Sequence, residues 1–209
     1  MPSFQFGSRR ILYFHIPKAG GTSTEAWLSS QGEMGLYQKF RSPEMPCVPQ
    51  HFHGAMIAEQ FGPDHFDYSF AITRNPYARI LSEYNYRITR PMLRYQLLPK
   101  PRFASWLRRA FRSYRKDPFV YSNHIRPQHE FRLPDTEVFR IEDGFEPLRV
   151  RLAEVTGIEP PDQVPRKNVS AKRVTRLTDR TARMIHDFYA EDFRMFNYDP
   201  ESWRAIGQD

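Results

Sequence analysis

The stretch Ile11-Leu12-Tyr13-Phe14-His15-Ile16-Pro17-Lys18-Ala19-Gly20-Gly21-Thr22-Ser23-Thr24-Glu25 decides the fold class. Residues 11–16 form a short, almost wholly apolar run that suits a strand buried on both faces, and such strands belong to parallel sheets covered by helices. Pro17 ends the ladder. Gly20 and Gly21 allow a tight turn and let a ligand approach the backbone without a Cβ in the way. Thr22 and Glu25 carry capping-box spacing, which predicts a helix that opens here and runs to about Gln31. Free N–H groups, the helix dipole, the Thr22 and Ser23 hydroxyls and the Lys18 ammonium then converge where a phosphate would sit.

The kind of phosphate is constrained by order along the chain. A Walker A loop places its lysine after the glycines, and a dinucleotide fingerprint needs G-x-G-x-x-G. Neither pattern occurs here, because Lys18 precedes Gly20 and Gly21 and reaches a phosphate from the strand side of the loop. An ordinary strand–turn–helix with a solvated lysine is the plain alternative; a nucleotide-type anion site accounts for more of the residues.

A second informative stretch starts at Tyr68-Ser69-Phe70-Ala71-Ile72-Thr73, which reads as another buried strand. Asn75 is a good N-cap and Pro76 a good first helical residue, so a helix is predicted to run to about Thr89. Arg74 then stands at the C-terminal end of a strand, where open α/β sheets bind ligands, and Ser82 lies about two turns into the helix. Residues 1–10 read as a polar and aromatic lead-in, residues 32–50 as an irregular loop, and Ala55 to Phe61 as a short helix. Phe103, Trp106, Leu107, Ala110, Phe111 and Tyr114 recur at helical spacing, with Arg102, Arg108, Arg109, Arg112 and Arg115 mostly on the other side. That basic side is a solvated face or a surface for an anionic acceptor. Glu137 to Ile141 is a third strand and Glu146 to Thr156 a helix capped by Gly157. Pro160, Pro161 and Pro165 make a stiff connector, and Asp179 is expected to cap a final helix to about Phe193. Strands separated by helices imply an α/β fold with a mostly parallel sheet.

A chain of 209 residues suits one domain spanning 1–209. The formal charge of +7 favours anionic partners. From Arg87 to Arg132 the sequence holds twelve Lys or Arg against the two acids Asp117 and Glu130, so the positive field is concentrated in the middle third. Cys47 is the only cysteine, which excludes an intrachain disulfide and a cysteine-rich zinc site. No apolar run approaches the ~20 residues of a membrane span and no signal-peptide core is present, so cytoplasmic is the default location. A catalytic domain trimmed of a membrane anchor would give the same pattern.

Taken together, His15-Ile16-Pro17-Lys18-Ala19-Gly20-Gly21-Thr22-Ser23 resembles the 5′-phosphosulfate loop of sulfotransferases, and Thr73-Arg74-Asn75-Pro76-Tyr77 through Leu81-Ser82 resembles their 3′-phosphate motif. The similarity is to the branch that holds bacterial sulfotransferases together with heparan sulfate 2-O- and chondroitin 4-O-sulfotransferase-like carbohydrate enzymes. The resemblance implies a P-loop-like three-layer fold, 3′-phosphoadenosine 5′-phosphosulfate (PAPS) as donor, 3′-phosphoadenosine 5′-phosphate as product, and no metal. It assigns Lys18, Ala19, Gly20, Gly21, Thr22 and Ser23 to the 5′-phosphosulfate and Arg74 and Ser82 to the 3′-phosphate. Asn168 and Ser170 are placed where they can close over the nucleotide, with a plain connector as the alternative.

By the same resemblance Lys18 stabilises the leaving group, and a histidine of Gln50-His51-Phe52-His53-Gly54 takes the acceptor's proton. The heparan sulfate 2-O branch carries His-Gly-His where this chain reads His-Phe-His-Gly. Alignment on His-Gly selects His53, and counting back from Gly62 selects His51, which is slightly preferred; two polar loop histidines without a catalytic part are the alternative. His124, Arg126 and Gln128 match a region that borders the acceptor, a hydroxylated carbohydrate that can itself be anionic. His15 is expected to pack at the strand end, and Glu142 to support structure. No nucleic-acid partner is implied. A small-molecule kinase and a non-catalytic polyanion-binding module are the competing functions.

Overall fold

The computed structural model describes residues 1–38, 40–89, 99–158 and 176–206. Its sheet contains β1 (Ser3–Phe6), β2 (Arg9–Phe14), β3 (Glu33–Gly35), β4 (Tyr68–Thr73) and β5 (Glu137–Arg140), in the order β3-β1-β2-β4-β5. β2 pairs with β4 and β4 with β5 in parallel, so Phe14 lies opposite Ala71, and Thr73 opposite Arg140. The carboxyl ends of the three parallel strands β2, β4 and β5 therefore open on the same side of the sheet. β1 and β3 join antiparallel on the far side.

Strand β1 lies within the expected polar and aromatic lead-in, for which no strand was predicted. Phe4 and Phe6 alternate with polar residues and point inward, and Gly7, at φ 57, supplies the backbone needed for the tight link from Phe6 to Arg9. β3 likewise lies inside the expected irregular loop; its three exposed residues carry no apolar pattern to announce it.

Alternation along the strands builds two cores. Ile11, Tyr13, Phe70 and Ile72 face α1 (Gly21–Leu28) and α5 (Glu146–Thr156) through Trp27, Leu28, Leu148 and Leu152. Leu12, Phe14 and Ala71 face the opposite side, where Phe52, Phe131 and Ile57 of α2 (Gly54–Gln60) pack. Each such large apolar side chain contributes roughly 1.5–3 kcal/mol on full burial. A third cluster joins α3 (Pro76–Thr89), α4 (Phe103–Lys116), α6 (Asp179–Phe188) and α7 (Ala190–Met195). The result is the expected α/β fold with a sheet that is parallel at its centre.

Local endings differ from expectation where side chains find better partners. The cap of α6 is Thr178 and not Asp179: Thr178 Oγ1 accepts from the Thr181 N–H, and Thr181 Oγ1 accepts from the Thr178 N–H. The expected single final helix breaks at Tyr189, which leaves helical dihedrals while its hydroxyl donates to the Ile125 carbonyl. The prolines of the expected connector, Pro160, Pro161 and Pro165, lie outside the described residues.

Candidate active site

The glycine loop leaves β2 and enters α1 with Lys18 at φ 70 and Gly20 at φ 92. Neither glycine has room for a side chain: a Cβ on Gly21 would lie 2.4 Å from the His15 ring, and one on Gly20 would lie 2.6 Å from Ile141. Gly20 is the N-cap of α1, and no side chain caps its first turn. The expected Thr22–Glu25 capping box is therefore absent. Glu25 turns inward instead, bonding His15 Nδ1 and accepting from Gln50 Nε2 at 2.8 and 2.9 Å. The buried pair fills the space beneath Gly21, and the Ser23 N–H turns back to the Gly20 carbonyl at 3.2 Å. Ala19 and Ser23 are buried beside them, while Thr22 is exposed.

Arg74 follows β4 on the neighbouring strand, and its Nη1 donates to the Lys18 carbonyl at 3.2 Å. Gln128 grips the same residue by its backbone, accepting from the Arg74 N–H at 2.9 Å and donating to its carbonyl at 2.8 Å. Asp192, wholly buried, accepts in turn from the Gln128 N–H at 2.8 Å. Burial lowers the Arg74 pKa, yet a guanidinium remains charged in proteins. Asn75 caps α3 as predicted, its Oδ1 accepting from the Tyr77 N–H at 3.0 Å. Glu142 supports this turn by accepting from the Asn75 N–H and the Tyr198 hydroxyl. Ser82 stands half-buried two turns further along α3.

Three histidines from distant parts of the chain gather beside the loop. The His15 and His51 rings are 5.4 Å apart, and the His51 and His124 rings meet edge-on at 4.9 Å. His124 stacks on Tyr86, and Lys18 Nζ lies 4.2 Å from the Tyr86 ring centre. His51 Nδ1 is 2.9 Å from the Ser122 carbonyl, which only an Nδ1–H can satisfy as donor. Burial, then the nearby His124 and His15, hold His51 well below the ordinary histidine pKa. Burial also lowers His124, against the pull of Glu83.

His53 takes no part in this row. Its ring stacks on Phe119 at 5.9 Å, and burial together with Arg126 lowers its pKa to about 4. Arg126 is itself buried, donating to Asn123 Oδ1 at 3.0 Å and paired with Glu130. Arg126 and Gln128 thus spend themselves on neighbouring protein groups, and of the three residues expected at the acceptor only His124 joins the histidine row. Asn168 and Ser170 lie outside the described residues.

A sulfotransferase family model matches residues 3–199. The chain belongs to the sulfotransferase family. Comparison with curated proteins and with solved structures finds no match. Membership makes this chain a transferase of sulfuryl groups and covers both phosphate-type motifs, the histidine row and the buried Asp192.

Several residues that hold the candidate site together escaped the sequence. Arg79, within the apolar stripe of α3, donates to the Pro17 carbonyl at 3.0 Å and the His124 carbonyl at 3.2 Å, tying the loop to the histidine. Glu83, one turn later and wholly buried, is bonded to Arg87 and His124. Opposite charges at i and i+4 inside an apolar stripe were the available signal. A cleft of about 500 Å³ beside β5, lined by residues such as Phe139, Arg140 and Phe196, shares no residue with either motif. Among the described residues no three His, Cys, Asp or Glu side chains are grouped to hold a metal ion, and no helix is long and apolar enough to cross a membrane.

Proposed function

We propose that this sulfotransferase uses PAPS as donor and a hydroxyl of a carbohydrate or carbohydrate-containing molecule as acceptor, releasing 3′-phosphoadenosine 5′-phosphate. The contact of Arg74 Nη1 with the Lys18 carbonyl carries the donor assignment. It joins a glycine-loop anion site to a half-buried guanidinium at the ends of adjacent parallel strands, and a nucleotide phosphorylated at both 3′ and 5′ positions needs two cationic sites that close. The residues fit such a group: at Gly20 and Gly21 no side chain stands between the loop backbone and a ligand, and the Arg74 guanidinium, whose Nη1 donates to the Lys18 carbonyl, carries further donors in a fork that matches phosphate oxygens.

When bound, the donor supplies an electrophilic sulfur, which passes to the acceptor oxygen as its bond to the bridging phosphate oxygen breaks and the acceptor's proton leaves. Lys18 is assigned the growing negative charge on that bridging oxygen, a task for a pre-positioned cation. Arg74 and Ser82 hold the 3′-phosphate. His51 is assigned the acceptor's proton: with Nδ1–H committed to the Ser122 carbonyl, Nε2 carries the lone pair, and burial keeps the ring neutral and ready at neutral pH. General-base help of this kind is worth ~10²–10⁴-fold in rate. His53, stacked on Phe119 outside the row, is the weaker candidate.

Titration calorimetry tests the donor. 3′-Phosphoadenosine 5′-phosphate should bind tightly without Mg²⁺, and a preference for ATP–Mg²⁺ would favour a kinase instead. Radiolabelled PAPS offered to glycans, glycolipids and small alcohols identifies the acceptor; labelling of non-carbohydrate alcohols alone would refute the acceptor class.

A further inference from the structure

We propose that Glu83 and His124 are positioning residues for His51, forming with it a buried carboxylate–imidazole–imidazole row that orients the base and supplies counter-charge when it takes a proton. The proposal rests on His51 being the base.

Glu83 sits in the buried stripe of α3 among Tyr77, Ile80, Leu81 and Tyr84. An ionised carboxylate there is strongly disfavoured unless it is paired and fully hydrogen-bonded. Both of its oxygens are engaged, Oε1 by Arg87 Nε at 2.6 Å and Oε2 by His124 Nδ1 at 2.6 Å. Burial alone would raise the Glu83 pKa, but His124 and Arg87 outweigh it and bring the group down to about 2, so it is a fixed negative charge. A carboxylate on Nδ1 sets the His124 tautomer and ring plane, and that ring meets His51 edge-on.

Backbone strain in the adjoining turn bears on the same residue. Tyr121, Ser122 and Asn123 all have positive φ, at 56, 57 and 66, although none is glycine. Left-handed backbone is uncommon for Tyr and Ser, although Asn tolerates it. The turn sets the Ser122 carbonyl on His51 Nδ1, and Asn123 Nδ2 donates to the His51 carbonyl at 2.8 Å. His124 follows directly, beside Glu83. Strain of this kind persists only where surroundings over-determine it, and two of the bonds made by the turn, from His51 Nδ1 to the Ser122 carbonyl and from Asn123 Nδ2 to the His51 carbonyl, hold His51.

Charge explains what the row adds. On taking the acceptor's proton at Nε2, His51 becomes a cation facing His15 and His124, with Lys18 and Arg87 close to His124. Glu83 beyond His124 and Glu25 beyond His15 are the compensating anions. No other reactant is needed, since the only transfer is the proton from hydroxyl to imidazole.

The test is imidazole ¹⁵N–¹H spectroscopy on the full chain with 3′-phosphoadenosine 5′-phosphate bound, comparing wild type, Glu83→Gln and His124→Gln at pH 7.5. Wild type should show Nδ1–H tautomers at both His51 and His124. Glu83→Gln should release His124 into mixed tautomers and shift the His51 Nε2 resonance, and His124→Gln should shift His51 as well. His51 resonances unchanged in both nucleotide-bound variants overturn the proposal. The base assignment is separately checked by His51→Asn, whose full turnover would sink that assignment whether or not the spectroscopic coupling is found.

Discussion

Arg74 is held from three directions, by Gln128 on both its backbone groups and by the Lys18 carbonyl on its guanidinium, so its charge is presented in one fixed place. Truncation should therefore act on the nucleotide more than on the fold. We predict that Arg74→Ala weakens binding of 3′-phosphoadenosine 5′-phosphate by about 10²-fold, the loss of two charge-assisted hydrogen bonds. Calorimetry checks this, and unchanged affinity would contradict the 3′-phosphate assignment. Gly21 makes the complementary case, because its missing side chain is what lets His15 and Glu25 lie beneath the loop. Gly21→Ala forces a methyl group against the His15 ring and should cost about 1–3 kcal/mol of stability, measured by denaturant unfolding.

Among the elements, those with strong internal signals match their prediction. α3 begins after Asn75 and runs to Thr89, and α5 ends at Gly157 with φ 71, because cap chemistry is local and needs no distant partner. The capping box predicted for α1 failed because a distant histidine competed for Glu25. The box at Thr178 was overlooked because its second member is a threonine where Glu or Gln is usual. That box carries its own prediction: Thr178→Ala should cost about 1 kcal/mol in chemical denaturation, with the m-value unchanged.

For the protein as a unit, buried histidines make stability depend on pH. His51, His53 and His124 all have folded-state pKa values below the ordinary 6.5, so the unfolded chain binds more protons below that pH. The stability they contribute is complete above 6.5 and is lost as pH falls toward their folded values. His129 runs the other way, raised by its bond to Asp192, but it is one group against three. We predict a thermal midpoint that falls between pH 6.5 and 5. The limit is about 1.4 kcal/mol per pH unit for each fully buried histidine, and for a chain of this length each kcal/mol is worth about 2–4 °C. Calorimetry that finds an equal or higher midpoint at pH 5 would refute it.

The chain alone determined the strand–loop–helix around Lys18, the arginine after the next central strand, and the α/β class of the fold. Each of these is written in residues adjacent in sequence, where turn chemistry and apolar runs act. Only the tertiary structure decided that Arg74 touches the Lys18 carbonyl, that His51 and not His53 enters the histidine row, and that Gln128 and Arg126 bond inward. Glu83 and His124 are 41 positions apart, and His51 and Ser122 are 71 apart. Pairings over such separations are set by how helices and strands pack, and no local pattern encodes them.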